Sequence, residues 1–157
     1  MPGIRRVGAR LYTPKQSHTK GVARHARRWH EQQGAIMATH AVTSKDFNQI
    51  VESNDLVFVD FWATWCGPCR AFGPTFEKAS EANSDIYFAK VDIDQNPDLA
   101  SAAKVQAVPT LMVIKNQQIV FQQAGALRAS DLDDLIAQAK ALDVNAAAAE
   151  EAEAQAE

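Results

Sequence analysis

Residues Leu56-Val57-Phe58-Val59-Asp60-Phe61-Trp62 form an apolar run broken by a single carboxylate. Such a run, rich in β-branched and aromatic side chains, reads as a strand buried on both faces. It belongs at the centre of a sheet with helices packed above and below. Two residues later comes Trp65-Cys66-Gly67-Pro68-Cys69, a paired-thiol motif where a central strand hands over to a helix.

The flanking sequence alternates in the same sense. A short strand near residues 40–43 precedes a helix capped by Thr43 or Ser44, with Phe47, Ile50 and Val51 on one face. A second helix begins near Cys66, turns Phe72, Phe76 and Ala79 inward, and meets Pro74 as a kink. Ile86 to Val91 reads as another buried strand, and Asn96 with Pro97 marks the start of a third helix. Thr110–Lys115 and Ile119–Gln123 form a hairpin across Asn116-Gln117-Gln118. Ser130, assisted by Asp133, caps a last helix whose core face carries Leu132, Leu135, Ile136, Ala139 and Leu142. The order β-α-β-α-β-α-β-β-α makes a mixed sheet with helices on both faces, an α/β domain of residues 37–143. At 157 residues and 46% apolar, the chain can build one such core. No apolar run reaches the roughly 18 residues of a membrane-spanning helix.

Charge divides the chain. Residues 1–36 hold eight Lys and Arg against Glu31 alone, which leaves eight bases against 18 acids in the remainder. A like-charged block without apolar periodicity reads as a disordered extension. Three uses stay open for it: an extension ahead of a true start at Met37, a mitochondrial leader, or a basic arm for nucleic acid. Its single serine, Ser17, and poor apolar face count against the leader. No nucleic-acid-reading motif accompanies it. It lacks the apolar stretch of a secretory signal. The expected compartment is the cytoplasm, or the mitochondrion if the leader reading holds. Residues 144–157 form an Ala/Glu-rich tail without evident chemistry.

Two cysteines are too few to staple a secreted miniprotein, so their spacing must carry their meaning. Cys66 falls at a helix N-terminus, where unpaired N–H groups and the helix dipole favour a thiolate. Cys69 lies one turn deeper, better shielded, as suits a resolving thiol. Gly67 lets a partner's backbone come close, and Pro68 stiffens the turn. The competing use is structural zinc, with His25 and His30 as further ligands. That site would draw on the basic extension and has no second cysteine pair, so redox chemistry is the better expectation, with no metal and no cofactor.

Val59-Asp60-Phe61-Trp62-Ala63 leading into Trp65-Cys66-Gly67-Pro68-Cys69 resembles the active-site segment of the thioredoxin family, whose members are a standard instance of a helix-activated cysteine. Val108-Pro109-Thr110 is similar to that family's cis-proline loop, and Gly125-Ala126 to its third substrate-facing loop. The likeness spans about residues 40–143. It implies a thioredoxin-like fold and a protein dithiol–disulfide reductase acting on disulfide-bearing substrate proteins. It implies Asp60 beneath the disulfide as proton acceptor for Cys69, with Lys90 as its partner on the next strand. A surface lysine that snorkels is the other reading of Lys90. A carboxylate inside an apolar strand costs several kcal/mol unless paired or neutralised, and burial raises its pKa. By the same likeness the Pro109 peptide is cis, and Trp65, Val108 and Ala126 form an apolar rim.

Arg70 stands where the family often has lysine, Ala107 where glycine is common, and Gln117 where a hairpin glycine is frequent. These departures bear on substrate choice. The chain has no G-x-G-x-x-G or P-loop, so electrons must come from an external reductase, expected to be an NADPH-linked flavoprotein. A different class of function stays open: a binding or accessory module on the same fold, in which partner contact rather than redox cycling is the role.

Overall fold

The computed structural model describes residues 38–147. The basic extension, His25, His30, Met37 and the end of the tail lie outside the described residues. Five strands and four helices follow the expected order: β1 Thr39–Ala41, α1 Ser44–Ser53, β2 Leu56–Trp62, α2 Gly67–Ala82, β3 Tyr87–Asp92, α3 Pro97–Ala102, β4 Thr110–Lys115, β5 Gln118–Ala124 and α4 Ala129–Ala141. The sheet runs β1-β3-β2-β4-β5, with β1, β3 and β2 parallel and β4 and β5 antiparallel to their neighbours. The apolar run is the middle strand. Asp60 stands opposite Lys90 on one side and Leu111 on the other.

Strand side chains alternate, so β2 feeds two cores. Leu56 and Phe58 face α2 and α4, packing with Phe72, Phe76, Phe88, Leu132 and Leu135. Val57, Val59 and Phe61 face the other way, against Ala89, Val91 and Met112, with Phe47, Ile50 and Leu99 of α1 and α3 closing over them. Asp60 follows the alternation of Leu56 and Phe58 and so lies on the α2 face. Phe76 seats α2 there: its ring meets the edge of Phe88 at 5.2 Å, and Phe88 stacks on Phe58 at 5.5 Å. Loss of that ring in Phe76→Ala would cost about 3–5 kcal/mol and loosen the helix that carries both cysteines. Pro74 sits inside α2 without ending it. Val144, one residue past the expected end of the domain, is buried in the α2–α4 core, so the packed unit reaches at least that far.

Helix ends depart from expectation. Asn96 does occupy the N-cap position of α3, but its side chain makes no cap bond. Its Oδ1 accepts from the Ser44 backbone N at 3.0 Å and from the Ser44 hydroxyl, while its Nδ2 donates to the Asp92 carbonyl. The amide thus ties the start of α1 to the turn before α3. The last helix starts two residues earlier than a Ser130 cap would have it. Arg128 is its N-cap residue, and its guanidinium pairs with Asp131 at 2.9 Å. In the β4–β5 hairpin both Asn116 and Gln117 have positive φ, 48° and 65°. That is the two-residue turn a twisted hairpin prefers, made here without glycine.

Candidate active site

The C-terminal end of β2 releases the chain at Ala63, and α2 begins at Gly67 with Cys66 as its N-cap. Pro68 falls within the first turn, where its missing N–H costs nothing. Cys66 and Cys69 are joined as a disulfide across that turn, with Cα atoms 5.3 Å apart. The Cys69 backbone N–H donates to Cys66 Sγ at 3.2 Å. A sulfur that receives a helix N–H at the positive end of the dipole is the one better suited to carry negative charge.

The expected contrast in exposure is absent. Cys66 is 4% exposed and Cys69 5%. Both cysteines pack in one apolar patch with Ala63, Trp62, Ile93 and Val108. What distinguishes the two is therefore their place on the helix and the groups near each sulfur.

The Val108–Pro109 peptide is cis, and the Val108 carbonyl oxygen lies 3.5 Å from Cys66 Sγ. Gly125 donates its N–H to the Pro109 carbonyl at 2.8 Å and has φ of 102°, a conformation that suits glycine. Three segments distant in sequence thus meet: the cysteine turn, the Val108–Pro109 loop and Gly125-Ala126. Gly67 and Ala126 are exposed. Beyond its own helix and chain neighbours, no atom would lie within 4 Å of a Cβ added at Gly67, so this point of the cysteine turn faces open space. Trp65 is 66% exposed beside it.

Asp60 is 1% exposed, and neither carboxyl oxygen has a hydrogen-bond partner. Burial pushes its pKa up to about 7, against the opposing pull of the Lys90 charge. A carboxyl poised there can take up or give up a proton near neutrality. Lys90 does not bond to it. The Lys90 ammonium instead sits 5.2 Å from the centre of the Trp62 ring and lines an open cleft of about 420 Å³ with Cys69, Arg70, Gly73 and Glu77. Lys90 is thus a partly exposed residue at a cleft whose charge pulls on the Asp60 carboxyl through space without bonding it. Among the described residues no group of three or more His, Cys, Asp or Glu converges as a metal site would require.

Sequence reasoning did not single out Asp94. Its Oδ2 accepts from Trp65 Nε1 at 2.9 Å. The run of turn-forming residues from Asp92 to Pro97, lying between a strand and a helix, was the available signal. Arg70 was noted for its charge alone, yet its Nη2 donates to the Thr64 carbonyl at 2.9 Å.

The chain is similar in sequence and fold to known proteins. The Thioredoxin family model matches residues 38–138. A Streptomyces coelicolor protein bearing the thioredoxin 2 name is 47% identical over 110 residues, which cover 70% of this chain and 82% of that protein. A mutant thioredoxin from Halobacterium salinarum superposes with a TM-score of 0.60 at 35% identity, over 66% of this chain and 93% of that one. Spinach chloroplast thioredoxin f does so with a TM-score of 0.62 at 31% identity, over 69% and 99%. With the paired cysteines at the head of α2 and the cis-proline loop against them, the chain belongs to the thioredoxin family and is a protein dithiol–disulfide oxidoreductase.

Proposed function

We propose that this chain reduces protein disulfides by a two-step exchange in which Cys66 attacks and Cys69 resolves. In the reduced site the Cys66 thiolate bonds to one sulfur of a substrate disulfide. The substrate S–S bond breaks, and the second substrate sulfur leaves as a thiolate that takes a proton from solvent. Cys69 then passes its proton to Asp60 and attacks Cys66 Sγ. The site disulfide closes, and the first substrate sulfur departs reduced. The substrate gains two electrons and the cysteine pair loses two. An external reductase restores them, and an NADPH-linked flavoprotein fits, since no nucleotide-binding motif accompanies the cysteines. Substrate lies extended along Val108, whose backbone precedes Pro109, with Trp65, Gly67, Pro68, Gly125 and Ala126 around it.

The observation that carries this reading is the Cys69 N–H bond to Cys66 Sγ at the helix head, which makes the two thiols unequal. The test is covalent trapping. Cys69→Ser should accumulate substrate proteins on Cys66 that a thiol reductant releases, while Cys66→Ser should retain almost none. Equal trapping by both variants would contradict the assignment. Non-covalent capture of the same partners by both would favour a binding module instead.

A further inference from the structure

Trp65 is held at its exposed indole and, separately, at the backbone that leads into it, by groups outside the cysteine motif. Asp94 Oδ2 accepts from Nε1. Asp94 stands in a turn that is itself braced: Asp92 Oδ1 accepts from the Asp94 backbone N at 2.9 Å, and Ile93 N donates to the Trp62 carbonyl at 3.0 Å. The Arg70 guanidinium holds the Thr64 carbonyl, fixing the peptide that leads into Trp65. Ordering a side chain costs conformational entropy, and a ring 66% exposed recovers little of it by burial. A ring fixed before contact avoids that cost when a partner arrives.

We propose that Asp94 is a positioning residue for substrate recognition: it sets the attitude of the Trp65 ring toward the protein surrounding a target disulfide, while Arg70 steadies the backbone beneath. The inference rests on Trp65 belonging to the substrate-facing rim. The Asp94 carboxylate touches no reacting atom, so its loss weakens substrate binding more than the chemical step.

Steady-state reduction of insulin, with dithiothreitol as electron source, tests this. Asp94→Ala should raise KM about three- to tenfold with kcat held within about twofold, and Asp94→Asn, which keeps an acceptor, should return KM to within about twofold of the native value. Trp65→Phe removes the N–H donor, so adding Asp94→Ala to it should change KM by less than about 1.5-fold. A rise in KM that persists in the Trp65→Phe background would show that Asp94 merely holds its own loop, and would overturn the proposal. So would a native KM in Asp94→Ala. If Trp65→Phe by itself leaves KM unchanged, the rim assignment falls and the positioning role with it.

Discussion

Asp60 and Asn96 are both buried polar residues near the C-terminal end of the parallel strands, yet their surroundings are opposite. Asn96 has its carbonyl oxygen occupied by the backbone and hydroxyl of Ser44 and its amide nitrogen by Asp92. Asp60, one strand away, has neither oxygen partnered. A buried polar group with its bonds made holds elements together. A buried carboxyl without them is costly to ionise, and that cost is what lifts its pKa to about 7. The first belongs to the frame, where the starts of α1 and α3 are pinned together on one face of the sheet. The second belongs to the site, where an ordinary carboxylate, ionised already near pH 4, would be too weak a base to draw a proton from a thiol at neutral pH.

The comparison breaks most visibly in stability against pH. In the unfolded chain Asp60 ionises around 3.8, whereas in the folded chain it holds its proton up to about 7. Between those values the folded state binds the extra proton. Its contribution is therefore full below the unfolded pKa and is lost as pH rises through the folded one. Across that window the loss is about 4 kcal/mol at 1.36 kcal/mol per pKa unit. Asp60→Asn should gain about that much on the native chain between pH 4 and pH 8, read from urea unfolding at the two values. A constant difference would mean that Asp60 is not held protonated by the fold.

Asn96→Ala should behave in the opposite sense. It leaves the Ser44 N–H without its side-chain acceptor and should destabilise by about 1–3 kcal/mol at both pH values. A pH-dependent loss would blur the distinction between frame and site. The smallest effect is expected at the far end of the sheet. Gln117→Gly relieves a side chain from positive φ in the hairpin and should raise stability by about 0.5–1 kcal/mol, without altering disulfide reduction. A loss of stability there would show that the Gln117 side chain contributes more than its backbone costs.

Much of the site was legible because its signals are local. The β2 run announced burial on both faces, and the carboxylate within it announced an expensive ionisation. The cysteine spacing and Pro109 stood in short segments whose likeness to one family is specific. What stayed hidden depends on contacts between distant segments. Nothing near Asn96 in sequence says that its amide serves Ser44 rather than its own helix. Nothing near Trp65 points to Asp94, 29 residues on. Arg128, paired with Asp131, stands at the N-cap of α4 two residues ahead of Ser130, and nothing in its own type announces a cap. The near-equal burial of the two cysteines depends on one apolar patch built from three distant segments, Trp62-Ala63, Ile93 and Val108. Strand order across the sheet was likewise a matter of pairing, not of local pattern.

The central claim is that Asp60 takes the proton of Cys69 when the mixed disulfide is resolved. The most direct measurement is the single-turnover rate at which a substrate disulfide held on Cys66 is released, followed from pH 5 to pH 9 in the native chain and in Asp60→Asn. The native rate should rise through an inflection near the Asp60 pKa of about 7. The variant should lack that inflection and be slower by about tenfold or more above it, as general-base loss implies. Superimposable profiles in the two proteins would contradict the claim.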